Sequence, residues 1–168
     1  MIRVIRIPQD EAVPLEDVTL RNFTAMQTAV GGYIEFVDIE QLHASLVVDE
    51  NGKVYGKPLN RRATLLYWMV ESSARMRDAI AGDVIIVGEA DRDGNSTDVP
   101  ATLVELLLGT KCFKAEFQTF DDADRFNGNL RRFTNYFEAA NYALLKSQAW
   151  MAVENVRVVP AEDAKDCA

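Results

Sequence analysis

Apolar and polar residues alternate through Ile2, Arg3 and Val4, with a shift of face near Ile5, and this predicts a strand over Arg3–Ile7 that Pro8 ends. Beyond Pro14 and Glu16, the positions Leu20, Phe23, Met26, Gln27 and Val30 follow roughly helical spacing, so a helix is expected there, stopped by Gly31 and Gly32. Tyr33–Ile39 and Ala44–Val48 read as strands. The Asn51-Gly52 pair in the turn Asp49–Lys53 signals a hairpin that leads to a short strand at Val54 and Tyr55. Asn60 suits the N-cap of a helix reaching about Ala79, with Leu65, Met69, Met76 and Ile80 near one face and Gly82 closing it.

Val84–Val87 has the continuous apolar run of a buried strand, and the loop Asp91–Asn95 leads to an Asp98 cap and a short helix ending near Leu108. Cys112–Phe120 reads as another strand. The longest helix is expected from about Ala123 to Gln148, because Leu130, Phe133, Phe137, Ala140 and Leu144 recur at alternating intervals of three and four. Val156–Val159 forms the last predicted strand, ahead of an acidic tail from about 161. The predicted class is α+β: a β-α-β-β-α-β half in the ferredoxin-like order, then a helix-strand-long helix-strand extension packed on it. With no repeat, linker or low-complexity stretch, residues 1–168 are expected to form a single domain.

Composition narrows the function classes. The hydrophobic fraction of 48% and charged fraction of 26% are globular values and argue against disorder or a coiled coil. A net charge of −8 disfavours direct nucleic-acid binding, which draws on cations to neutralise phosphates. The charge is uneven: Asn51–Val70 holds Lys53, Lys57, Arg61 and Arg62 and no acid, whereas Glu35–Glu50 holds five acids and no Lys or Arg. That polarity favours an anion near the basic segment. Cys112 and Cys167 are far apart with no CxxC pair or nearby histidine, so neither a metal site nor a disulfide framework is expected. No stretch reaches the roughly 18 apolar residues of a membrane span, and no signal peptide is evident, so the cytoplasm is the expected compartment.

Four segments carry a resemblance: Ala29–Glu35 with its Gly31-Gly32 pair, Asp49–Lys53, Gly56–Thr64, and Gly82–Gly88. In order and spacing, over about Met1–Glu89, they resemble a family of domains of unknown function found in actinobacteria, their phages and mobile elements. The resemblance implies a phage or mobile-element accessory protein, acting in the host cell cytoplasm if phage-encoded. It implies no activity and no catalytic residues.

Among candidate sites, Lys53, Lys57, Asn60, Arg61 and Arg62 join a glycine-containing hairpin to a helix start, where backbone N–H groups and the positive helix end favour an anion. Two arginines in a first turn face a like-signed dipole, so a negative group is expected beside them, supplied by a ligand or by the chain's own acids. The segment lacks the G-x-x-x-x-G-K-[ST] pattern of a phosphate-binding loop. Gly31 and Gly32 are accounted for by a helix C-cap. Asp91, Asp93, Asn95 and Thr97 mimic a calcium loop, but the glycine comes two positions early and position twelve is Thr102. His43 has no local triad partner, and Asp121-Asp122 suit a helix N-terminus. On the predicted long helix, Phe133 and Phe137 lie on the apolar stripe, while Arg132, Tyr136 and Tyr142 lie off it and are candidates for protein interaction.

No catalytic residue, metal ligand or cofactor is indicated. The expected function is a binding protein that engages a host protein or sequesters a small anionic, nucleotide-like ligand, for instance in counter-defence. Two other classes stay open: a metal-dependent enzyme on a nucleotide or phosphorylated metabolite using Glu35, Asp38 or Asp83, and an acidic nucleic-acid mimic.

Overall fold

The computed structural model describes residues 1–162 and 167. The chain folds as two compact units, Met1–Val104 and Glu105–Ala168, each mixing helix with antiparallel sheet, so the α+β class predicted above is the class observed. The expected acidic tail falls largely on 163–166 and 168, outside the described residues.

In the first unit the strands are β1 (Ile2–Ile7), β2 (Glu16–Leu20), β3 (Ile34–Ile39), β4 (Ala44–Asp49), β5 (Val84–Ala90) and a two-residue β6 (Ser96–Thr97). Helices α1 (Phe23–Val30) and α2 (Arg61–Val70) punctuate them, and a short α3 (Ala101–Val104) follows. The sheet order is β2-β1-β5-β4-β3, β6 pairs β5, and every pair is antiparallel. Met26 and Val30 of α1 pack on Val4, Val47, Ile85 and Val87, forming one core layer. The alternate residues Ile5, Ile7, Leu46 and Ile86 are fully buried on the opposite face, and Ala63 and Leu66 of α2 are equally buried.

Four expectations for this unit need correction. Glu16–Leu20 is a strand rather than the first half of a helix. It pairs with β1 from Arg6↔Glu16 to Ile2↔Leu20, tied by Arg3–Asp17 at 2.6 Å and Arg6–Glu16 at 3.0 Å. Helix α1 starts only where Asn22 accepts a hydrogen bond from the Ala25 N–H, and it ends as expected at Gly31, whose φ of 72° is left-handed. Val54 and Tyr55 sit in turns and are exposed, not in a strand. Helix α2 stops at Val70 rather than Ala79: a 3-10 turn over Ser72–Ala74 follows, and Met76 takes a positive φ of 60°. Asp98 caps no helix; its carboxylate accepts the Arg3 N–H at 2.8 Å.

The second unit begins with a π-helical turn, Glu105–Gly109. Its sheet is β8-β7-β9, built from β7 (Phe113–Thr119), β8 (Asp122–Gly128) and β9 (Val153–Pro160), with α4 (Tyr136–Ala149) packed on β7 and β9. The long helix expected from Ala123 is therefore split. Residues 122–128 form a hairpin arm paired with β7, and α4 starts at Tyr136, where the Asn135 side chain accepts the N–H of Phe137 at 2.8 Å and of Glu138 at 3.4 Å. Of the predicted stripe, Phe137, Ala140 and Leu144 are buried on α4. Phe133 is buried in a β-bridge with Phe113, and Leu130 is 93% exposed. Contrary to expectation, Cys112 and Cys167 are bonded as a disulfide spanning 55 residues; nothing in local spacing reveals such a closure.

Candidate functional site

The basic segment is engaged by the fold itself. Lys57 Nζ lies 2.9 Å from both Val30 O and Gly31 O, at the carbonyl end of α1, and 2.6 Å from Asp49 Oδ2. The last contact is an ion pair with a carboxylate whose side chain is almost wholly buried. Burial pushes the Asp49 carboxyl up, but bonds from Lys57 and the Asn51 N–H outweigh it and leave it below its usual value. A Cβ on Gly32 would lie 2.3 Å from the Asp49 carboxylate, and one on Gly82 would lie 2.9 Å from Lys57 Cδ. Gly32 and Gly82, two glycines of the resemblance, thus make room for this one ion pair.

Asn60 is fully buried and saturated: its amide donates to Ile7 O at 2.8 Å and Gly82 O at 3.0 Å, and its Oδ1 accepts the Ala63 N–H at 3.0 Å. Arg62 is 7% exposed and its Nη2 donates to Pro8 O at 2.7 Å and Asp10 O at 2.9 Å. Burial pulls its guanidinium below the usual value, with Glu11 and Asp10 opposing. Exposed Arg61 reaches Glu11 at 3.4 Å, and Lys53 pairs with Asp78. The negative groups demanded by two arginines at a helix start are the Glu11 carboxylate and backbone carbonyls.

The interaction candidates also separate. Tyr136 is 6% exposed between Phe113 and Phe137, with centroids at 5.9 and 5.4 Å, and burial pushes its phenol up. Arg132 donates to Asn129 O at 2.9 Å and Arg131 O at 3.3 Å, bracing the loop before α4. Tyr142 is half-buried and lines a cavity of about 510 Å³ within the second unit.

A larger cavity, about 630 Å³, lies within the first unit. Cross-strand register places Phe36 and Asp38 of β3, Ser45 of β4 and Glu89 of β5 on the face that α1 covers only in part. Toward the β3–β4 connection these residues, with Glu40 and His43, line the cavity. His43 takes a left-handed φ of 51° after the 3-10 turn Glu40–Leu42, and its Nδ1 sits 3.0 Å from Glu89 Oε1. Ser45 Oγ donates to Asp38 Oδ1 at 2.7 Å. Three carboxylates thus surround a space bounded by one phenyl ring, with Phe36 46% exposed. Sequence reasoning missed this site, although the acids Asp38, Glu40 and Glu89 were visible, because strand pairing brings Glu89 to His43.

The other carboxylates considered for metal chemistry are dispersed. Glu35 is on the opposite face of β3 from Asp38, and Asp83 is bound to Arg6 at 2.8 Å and the Gln9 N–H at 2.9 Å. Among the described residues no group of three or more His, Cys, Asp or Glu is placed to hold a metal ion. No helix there is long and apolar enough to cross a membrane.

Fold and site together define an α+β protein whose first unit is an all-antiparallel sheet with an acidic cavity on one face. The family described as Domain of unknown function (DUF3846) matches residues 2–111, and the chain belongs to that family. The match covers the first unit from Ile2 onward and includes the four segments of the resemblance. No curated protein and no solved structure matches the chain.

Proposed function

We propose that the protein is a binding protein whose first unit engages a partner protein by receiving a basic side chain in the cavity of Phe36, Asp38, Glu40, Ser45 and Glu89. The observation that carries this reading is the convergence of three carboxylates and one exposed ring on a space of about 630 Å³. Its only basic group, His43, is bonded to one of those acids. A guanidinium or ammonium group fits such a lining twice over, through charge-assisted hydrogen bonds and through the face of the Phe36 ring. The wider field agrees: Met1–Val104 holds sixteen acidic and ten basic residues, a net −6, which steers cations toward it. The resemblance adds an origin, a phage or mobile element, and with it a host protein as partner in the host cytoplasm, where a counter-defence role is one use. The alternative of sequestering an anion at Lys53–Arg62 has less support, because those side chains are engaged by Asp78, Asp49, Glu11 and backbone carbonyls.

The test is an NMR titration with two blocked tripeptides, Gly-Arg-Gly and Gly-Glu-Gly. The arginine peptide should shift the Phe36, Ser45 and Gly88 amides saturably, and Asp38→Asn with Glu89→Gln should abolish the effect while the remaining spectrum is kept. Equal shifts with both peptides, or none at these amides, would sink the reading.

A further inference from the structure

The cavity of the second unit has a different chemistry and belongs to residues beyond the family match. Tyr142, Lys146 and Trp150 follow at four-residue intervals along α4 and its C-cap, so they share one face. Opposite them, the β7–β8 hairpin contributes Phe117, Thr119, Asp122 and Asn127. Phe117 meets Tyr142 edge-on, at 6.4 Å and 75°, and meets Trp150 tilted, at 6.4 Å and 52°. The three rings form an angled wall rather than a closed stack. Trp150 remains 51% exposed, leaving π surface open to the cavity.

Charge supplies an independent observation. Arg131 stands 4.7 Å over the Tyr142 ring, and Lys146 Nζ lies 5.9 Å from the same ring. Among the described residues neither cation has an ion-pair partner, although the chain carries 26 acids and 18 bases. Of the two, Lys146 lines the cavity, across from Asp122, while Arg131 lies outside its lining, so Lys146 is the cation available to an anion there. Asn127 likewise makes no side-chain bond among the described residues, while Asn129 is spent on the Tyr142 hydroxyl at 2.8 Å.

We infer that this cavity binds a mononucleotide, with the base stacked on Trp150, which Phe117 backs, its edge read by Asp122 and Asn127, and the phosphate held by Lys146. At about 510 Å³ the space lies within the ~300–1,000 Å³ of small-molecule sites. Stacking on aromatic rings holds a planar base, and lysine meets phosphate by charge-assisted bonds. The carboxylate of Asp122 accepts only, which favours a base edge rich in N–H groups and makes GMP the probe of choice. The overall charge of −8 opposes a polymer of phosphates far more than a single one, which selects the free nucleotide over a strand. The inference is independent of the reading for the first unit, since the two sites share no residue.

The experiment uses the full chain with Trp68→Phe, so that fluorescence reports Trp150. Titration with GMP should quench saturably; guanosine should bind several-fold more weakly, and inorganic phosphate should not quench. Lys146→Gln should weaken GMP by roughly threefold to tenfold, the scale of one exposed charge-assisted contact, while leaving guanosine unchanged. Calorimetry with Phe117→Leu, its fold checked by circular dichroism, should show loss of both ligands; Asp122→Asn gives a second variant if that core change unfolds the unit. Absence of GMP binding, equal GMP affinity in Lys146→Gln, or much tighter binding of a single-stranded hexanucleotide than of GMP would overturn the assignment.

Discussion

Replacing Lys57 with methionine removes the ammonium that serves three oxygens while keeping a side chain of similar length. Asp49 is left with its side chain 2% exposed and no cation, and Val30 O and Gly31 O lose a donor. Breaking a buried pair from one side costs about 3–5 kcal/mol. Here Asp49 keeps the Asn51 N–H at 3.1 Å and the Lys57 side chain is 24% exposed, so water offsets part of the loss and about 2–3 kcal/mol is expected. Lys57→Met with Asp49→Asn should recover at least about 1 kcal/mol, because the uncompensated charge is gone. The pH dependence has a definite sign. In the native protein the depressed Asp49 carboxyl contributes stability that is present above its usual value and lost as pH falls through its lower folded value. Without Lys57, burial dominates and raises that carboxyl, so the folded state is penalised most at neutral pH. The difference between native and variant should therefore shrink from pH 7 toward pH 3. Urea unfolding read by Trp68 in a Trp150→Phe background follows the first unit. A loss below about 0.5 kcal/mol, or one independent of pH, would refute the reasoning.

Asn60→Ala removes a helix cap and leaves two carbonyls without donors, so about 3 kcal/mol should be lost in the same unfolding assay. Asn60→Asp keeps the cap but cannot donate to Ile7 O and Gly82 O, and should recover only about 1 kcal/mol. In the second unit, burial raises the Glu116 carboxyl, but bonds from Lys114 at 2.9 Å and Arg157 at 2.7 Å outweigh it and hold it below the usual value. Its stabilisation is present above that usual value and lost on acidification, so Glu116→Gln should lower the melting temperature at pH 7 and match the native protein near pH 2. A constant gap across that range would contradict the assignment.

Local chemistry in the sequence determined much of this protein. The α+β class, the caps at Asn60 and Gly31, and the strands at Ile2, Tyr33, Ala44, Val84, Cys112 and Val156 follow from alternation, apolar runs and turn residues, to within a residue or a few. The misread elements are those where local period competed with pairing. Val18 and Leu20 carry a strand alternation as well as a helical one, and only pairing with β1 decides between them. Likewise Leu130 and Phe133 extend a stripe that Gly128 and the Asn135 cap interrupt, because β7 offers Asp122–Gly128 a ladder of hydrogen bonds. The sites were harder still. A run of four cations reads as an anion site until folding brings Asp49, Asp78, Glu11 and the Pro8 carbonyl to them, over separations of up to 54 residues. The acidic cavity and the aromatic one exist only through register, which sets His43 beside Glu89 and Phe117 beside Tyr142. Composition fixes how many charges and rings a chain carries, but whether a charge is spent internally or left facing a cavity is a property of tertiary packing.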